Sequence, residues 1–344
     1  MNIDLLKILQ DLLDKKSYNE VAKELNISAS TVKRWVELKN VPEAYCFELM
    51  KLSKIEIDYK LFSYKQKDQF FSPHETALYC YNKFQEILKQ YNEDESKYTY
   101  IEPSAGSGRF LNILPKNRRI GIDIEPRHEE IICDDYLTWY PSDVEKKYIV
   151  IGNPPFGLRG QMALKFINHS YNFADYVCFI LPQLFESDGK GVPRKRVHGY
   201  NLIHSEKLKS NFQDPDNKIV KVECIFQIWS KHQINMDYKI KEIDETKLKV
   251  YSLSDGGTPS TTRNKKYHNI CDVYLPSTCF GKENMKYYDS FDCLPNKKGY
   301  GIIFYSNKEE NIMKFKSLNW SEIAFLSTNS AYNIRSSQIM NQFN

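Results

Sequence analysis

The chain has 344 residues, a net charge of +4, and 41% hydrophobic against 27% charged residues, which describes a globular protein of two or three domains and excludes a disordered chain. No apolar run approaches the ~20 residues of a membrane span, and Met1-Asn2-Ile3-Asp4 lacks the basic start and apolar core of a signal peptide, so no membrane contact and a cytoplasmic or nucleoid setting are expected. The 8 cysteines include no Cys-x-x-Cys pair, no metal is expected, and Cys133, Cys178 and Cys224 fall in predicted strands where a buried thiol is the simplest reading.

Residues 1–62 read as a helical unit. Leu5, Leu6, Ile8, Leu9, Leu12 and Leu13 recur at helical spacing. Ser17 and Glu20 are placed as a capping box for a second helix, and Asn26 stands where a left-handed residue is needed before a third helix capped by Ser28. Ala22, Ile27, Val32 and Trp35 form the small core expected of a helix-turn-helix, and the pattern resembles the phage-repressor type. In such a unit the start of the last helix enters the major groove, which would bring Ser28, Ser30, Thr31, Lys33 and Arg34 to bases or phosphates.

The polar stretch Ser63–Gln69 reads as a boundary, followed by Phe70-Phe71-Ser72-Pro73-His74 and a helical run over 75–90. A strand at 98–101 leads into Glu102-Pro103-Ser104-Ala105-Gly106-Ser107-Gly108. Gly106 and Gly108 permit a tight turn and close backbone approach to a ligand, with a helix expected directly after. The third glycine of the dinucleotide fingerprint is missing, which disfavours a nicotinamide cofactor. A second strand, 119–122, ends at Asp123, where a carboxylate can accept hydrogen bonds from both ribose hydroxyls; Asp123 is preferred to Glu125 for this. After Ile131–Leu137, which contains Asp135, comes the apolar strand 148–151 and then Gly152-Asn153-Pro154-Pro155-Phe156-Gly157. Two prolines cannot continue a sheet ladder, so a stiff turn must present a carboxamide, a prolyl carbonyl and an aromatic ring at the carboxyl end of a central strand. The Asn153 oxygen and the Pro154 carbonyl can each accept one N–H of an exocyclic amino group, which draws the nitrogen lone pair out of conjugation. Phe156 offers the ring a stacking face, worth roughly 1–3 kcal/mol per base in single-strand binders.

A helix over 161–171 and a buried strand over 176–182 follow. The basic, glycine-rich stretch 189–199 reads as a mobile loop near the site, with Arg194, Lys195 and Arg196 placed to meet DNA phosphate. The turn Asp214-Pro215-Asp216-Asn217 precedes strand segments over 218–229. From Lys231 the composition shifts to Lys, Tyr, Ser and Asn around short strands, a small α+β region in which Tyr267 and Tyr274 among basic and hydroxyl residues suit a nucleic-acid face.

Taken in order, residues 70–230 resemble the DNA amino-methyltransferases, most closely the gamma group of adenine-N6 enzymes: Phe71-Ser72-Pro73 resembles motif X, Glu102–Gly108 motif I, Asp123 motif II, Asp135 motif III and Asn153-Pro154-Pro155-Phe156 motif IV. The resemblance implies a Class I methyltransferase fold, an α/β Rossmann-like domain with a seven-stranded, mostly parallel sheet flanked by helices, over 63–231. A helix-turn-helix domain (1–62) would precede it and a target-recognition domain (232–344) would follow. It implies S-adenosyl-L-methionine as cofactor, held by Phe71, Ser72, Pro73, Glu102, Ala105, Gly106, Gly108, Asp123 and Asp135. The target base would be flipped from double-stranded DNA onto Asn153, Pro154, Pro155 and Phe156, with Phe226 as a second stacking ring. A cognate restriction endonuclease is a candidate partner and a monomer is expected. Methylation of an RNA base or a protein glutamine is the rival enzyme reading, and an inactive DNA-binding regulator the rival of another class.

Overall fold

The computed structural model describes residues 3–64, 66–186, 192–208, 211–214, 218–236, 246–259, 261–326 and 331–343. The chain divides into two compact units, one of residues 1–174 with 196–198 and 213–218, the other of 175–195, 199–212 and 219–344.

The first unit begins with helices α1 (Leu5–Leu13), α2 (Tyr18–Glu24), α3 (Ala29–Glu37) and α4 (Cys46–Leu52). Local chemistry sets each start. Asp4 accepts from the Lys7 amide at 3.0 Å, Ser17 and Glu20 form a reciprocal capping box, and Ser28 accepts from the Thr31 amide at 3.3 Å. Asn26 turns the chain between α2 and α3 at φ +55°, the left-handed region that Asn tolerates. Leu9, Leu12, Val21, Ala22, Leu25, Val32, Trp35 and Leu49 close a core of their own.

Helix α5 (His74–Gln90) precedes the strands β1 (Tyr98–Glu102), β2 (Arg119–Asp123), β3 (Ile131–Cys133) and β4 (Lys147–Gly152), and α6 (Gln161–Ser170) follows. β1 pairs in parallel with β2 and with β4, and β2 with β3. Residues 148–152 of β4 are all buried, as expected of a strand covered on both faces. The helix expected after Gly108 is absent: Leu111–Ile113 make a single 3-10 turn, and the proline at 115 stops it there. Cys133 is exposed rather than buried, because β3 lies at the edge of the sheet.

Strands β5 (Ala174–Pro182), β6 (Asn201–Leu208), the short β7 (Asn211–Gln213) and β8 (Ile219–Lys221), and β9 (Cys224–Ser230) come next. β9 runs antiparallel to both β5 and β6. The main sheet has 7 strands in the order β3-β2-β1-β4-β5-β9-β6. That is the strand order of the Class I methyltransferase fold, a mixed α/β architecture whose last-formed strand slots in antiparallel. Gly189, Lys190 and Gly191 of the basic stretch, and Pro215, Asp216 and Asn217 of the expected turn, lie outside the described residues.

The C-terminal part of the second unit carries β10 (Leu248–Ser254), β11 (Val273–Pro276), β12 (Thr278–Phe280), β13 (Lys298–Phe304), α7 (Lys308–Ser317), α8 (Trp320–Ile323), β14 (Phe325–Leu326), β15 (Ala331–Asn333) and α9 (Ser336–Met340). β13 is the centre of an antiparallel sheet ordered β10-β13-β11. One face of that sheet packs Leu248, Val273, Ile302 and Phe304 on Phe315, Trp320 and Phe343, and the other packs Leu253 and Tyr274 on Phe291 and Leu294. A small α+β region is therefore in place where the composition changes.

Candidate active site

β1 and β4 are parallel neighbours, so the loops leaving their carboxyl ends start side by side. The loop after β1 is built from its own backbone. Ala105 N donates to Ile122 O at 2.9 Å and Gly108 N to Ala105 O at 2.6 Å. Gly106 and Gly108 take φ of +49° and +76°. A side chain on Gly106 would place Cβ 2.8 Å from the Phe71 ring, so only glycine lets that ring lie on the loop. Phe71 is thus brought onto the glycine turn from a distant part of the sequence. Its backbone also pairs with Gln213 through bonds of 2.7 and 2.9 Å.

The carboxylates expected to hold a cofactor are first of all occupied by the chain. Asp123 accepts from Gly106 N at 2.7 Å and Glu125 N at 2.8 Å. Burial raises its pKa, the two amides acting against that. Each oxygen keeps a second lone pair for a hydroxyl. Glu102 is 3% exposed and accepts from Leu111 N at 2.6 Å. Burial holds its pKa well above the usual range, and the nearby Asp123 adds to the rise. Glu102 thereby fixes the turn after the glycine loop. Asp135 accepts from Leu137 N at 3.1 Å and pairs with Lys51 of α4 at 3.1 Å, a partner that sequence order gave no reason to expect. Ala105 and Ser72 are buried, and Pro73 stands at the start of α5.

The loop after β4 is held at four points. Asn153 Nδ2 donates to the Phe70 carbonyl at 3.0 Å. The Phe156 and Gly157 amides donate to one carboxylate oxygen of Asp68, at 2.6 and 2.8 Å. Phe156 O accepts from Met162 N at 3.0 Å at the start of α6. Ser104 Oγ, from the glycine loop, donates to Asn153 O at 3.0 Å and joins the two loops. With its NH2 committed to a carbonyl, the Asn153 amide must present Oδ1 on its other side. That oxygen is buried and has no hydrogen-bond partner among the described residues. Nor does any described residue bond the Pro154 carbonyl. Pro154 is buried, Pro155 half-buried, and Phe156 8% exposed. Two further buried hydroxyls without partners are Ser107 Oγ, within the glycine loop, and Ser72 Oγ, next to the Phe71 that lies on it. Buried polar groups of a native protein are nearly always paired with protein or ordered water, so these three are open to a water or a ligand; orphaned atoms occur in other elements too, such as Ser53 Oγ at the end of α4 and Trp229 Nε1 in β9.

Ser28, Ser30, Lys33 and Arg34 are exposed and Thr31 half-buried at the start of α3. Ser28 Oγ bonds the hydroxyls of Ser30 and Thr31, each at 2.8 Å. Lys195 is exposed and Arg194 and Arg196 half-buried in a 3-10 turn, Pro193–Arg196. Arg196 bonds the side chain of Gln161 at 3.2 Å. Phe226 is fully buried within β9, in register with Ile180 and Glu206, its ring closed to solvent. Asp68, Phe70, Ser104 and Lys51 have no site role that the sequence assigns. Their roles arise from backbone hydrogen bonds and tertiary pairing, which leave no local pattern in the chain.

No protein-family model matches the sequence, and neither does any curated protein. Among solved structures, the fold is similar to a protein assigned as an RNA methyltransferase, PH1948 from Pyrococcus horikoshii, at 17% identity over 47% of this chain and 86% of the other, with a TM-score of 0.35. It is similar to the 23S rRNA methyltransferase ErmE at 13% identity over 48% and 71%, TM-score 0.31. It is similar also to the type IIG restriction endonuclease BpuSI at 11% identity over 73% and 40%, TM-score 0.34. These are partial likenesses, and the fold assignment stands on the strand order.

Proposed function

We propose that this chain is an S-adenosylmethionine-dependent DNA methyltransferase acting on the N6 amino group of adenine. The observation that carries this reading is the orphaned Asn153 Oδ1, with the unbonded Pro154 carbonyl next in the chain: two acceptors on consecutive residues of one turn, the carboxamide held by the Phe70 carbonyl so that its oxygen is the free end. An NH2 group on a flat ring has the two donors this pair needs.

The residues present fit S-adenosyl-L-methionine. Gly106 and Gly108 give it backbone access, Phe71 covers the loop, Asp123 keeps acceptor capacity for the ribose, and Ser72 and Ser107 offer unused hydroxyls. Asp135 is assigned to the adenine amine and must then share its oxygen with Lys51. When bound, the cofactor supplies an electrophilic methyl group on a sulfonium. Asn153 and the Pro154 carbonyl orient the target nitrogen and raise its nucleophilicity, and positioning does most of the catalytic work. We read 1–62 as the DNA-binding domain, its exposed Ser28–Arg34 edge on the duplex, 63–231 as the catalytic domain and 232–344 as the target-recognition domain. A target inside the duplex has to be flipped out to meet Asn153.

The test is expression of the chain in cells free of adenine methylation, followed by mass spectrometry of digested genomic DNA. N6-methyladenine is expected with the wild type and not with Asn153→Ala, which should still bind S-adenosylmethionine in calorimetry. Methylated RNA or glutamine with unmodified DNA would transfer the same chemistry to another substrate.

A further inference from the structure

The segment joining the N-terminal helices to α5 reads in the sequence as a polar boundary, yet four of its residues, Lys67, Asp68, Phe70 and Phe71, grip the sheet loops of the unit. Lys67 Nζ pairs with Glu125 at 2.8 Å. Asp68 takes the amides of Phe156 and Gly157. Phe70 O takes the Asn153 amide nitrogen, and the Phe71 ring lies on Gly106. One short strap therefore touches the loop after β2, both ends of the Asn-Pro-Pro-Phe turn, and the glycine loop.

Within the strap Asp68 is the unusual residue. Its backbone sits at φ +54°, in the left-handed region that side chains disfavour and that Asp and Asn accept more readily than others. Burial pushes its carboxyl above the ordinary range, and the two amides act against that. A strained, desolvated acid persists where its surroundings over-determine it. Here those surroundings are the two consecutive N–H groups of the turn. Prolines at 154 and 155 have no N–H, so 156 and 157 are the first backbone donors after Asn153.

We propose that Asp68 is a positioning residue for methyl transfer: by holding the 156–157 amides it fixes the turn and keeps the Asn153 and Pro154 acceptors aligned on the amino group. This rests on the methyltransferase reading above. Both amides bond the same oxygen, so a neutral carboxamide can do the same work. A misplacement of about 1 Å at a reacting group costs on the order of 100-fold in rate. Losing the clamp should therefore lower the rate at saturating substrate while leaving the cofactor pocket intact.

The experiment compares full-length wild type, Asp68→Gly and Asp68→Asn. Glycine relieves the backbone strain and removes the clamp; asparagine keeps the conformation and an acceptor. Single-turnover methyl transfer from tritiated S-adenosylmethionine to genomic DNA lacking N6-methyladenine is measured with cofactor affinity and thermal unfolding. The expected result is a 30-fold or greater loss of rate for Asp68→Gly (about the size a 1 Å misplacement carries), with cofactor affinity within about three-fold of wild type, and a rate for Asp68→Asn within about five-fold. A wild-type rate in Asp68→Gly overturns the proposal, as does an Asp68→Asn as slow as the glycine variant. Cofactor affinity falling in step with rate would also overturn it, because the role would then be structural. A wild type that transfers no methyl group to DNA, RNA or protein refutes the parent reading instead, so the two failures are separable.

Discussion

Gly157 carries the most exacting steric demand in the Asn-Pro-Pro-Phe turn, and its replacement by alanine tests the geometry directly. Its φ is +65°. A Cβ at that position would lie 2.7 Å from Met162 Cβ and 3.0 Å from Met162 N. Two costs follow: roughly 1–2 kcal/mol for a left-handed alanine and about 1–3 kcal/mol for the overlap. The sum, ~2–5 kcal/mol, corresponds to a fall in melting temperature of roughly 5–15 °C for a unit of this size. The colliding atoms are the Met162 backbone and Cβ, so shortening the side chain should not help: Gly157→Ala/Met162→Ala should stay as unstable as the single variant, and Met162→Gly should relieve part of the overlap. Methyl transfer should fall further than stability alone explains, because Met162 N also bonds Phe156 O and any shift there moves the turn. Differential scanning calorimetry and single-turnover rates on the same preparations read both effects. An Asp68-clamped turn that accepts alanine with an unchanged melting temperature and rate would refute the reasoning, since the turn would then be too loose to hold two acceptors in place.

Glu102→Gln should become more stable relative to wild type as pH rises. The folded-state pKa of Glu102 lies above its unfolded value, so between the two the folded protein binds the extra proton and wild-type stability is lost with rising pH, at up to ~1.4 kcal/mol per unit. Urea titrations from pH 4.5 to 8 should show the gap widening, and a gap independent of pH would sink the assignment. Lys33→Ala/Arg34→Ala should weaken duplex binding and lower the slope of log K against log salt by about 2, one per phosphate contact. An unchanged slope in fluorescence anisotropy would remove α3 from the DNA interface. Lys51→Met should tighten S-adenosylmethionine binding by roughly two- to five-fold, an energy appropriate to a half-exposed ion pair released from Asp135. Weaker binding by calorimetry would mean that Lys51 supports the acid instead of competing for it.

What could be read from the sequence divides along a physical line. The elements set by local chemistry stand where the residues put them: the Ser17–Glu20 capping box, the left-handed Asn26, the strand stopped by Pro154 and Pro155, and the glycine turn. Each depends on residues within four positions of one another, so a short window contains the whole cause. The helix expected after Gly108 failed within that same window, because the proline at 115 outweighs the apolar spacing of Phe110, Leu111 and Leu114. Cys133 failed for a different reason, since edge position is a property of the sheet and not of the strand.

The parts of the candidate site differ in how far a sequence can mark them. Asn153 and its neighbours are marked by chemistry that few other roles require, whereas the groups that orient them are ordinary residues met far along the chain. Asp68 reaches Phe156 and Gly157, and Phe70 contributes only a carbonyl, which every residue has. A carbonyl has no signature in a sequence, yet this one decides which end of the Asn153 amide is left to act: with the NH2 bound to it, the oxygen becomes the free acceptor, and a ligand with N–H groups to donate is the complement. The free acceptor of the turn therefore belongs to Asn153, but its orientation comes from Phe70. A substitution that displaced the strap would leave the Asn-Pro-Pro-Phe sequence whole and remove the arrangement that gives it meaning.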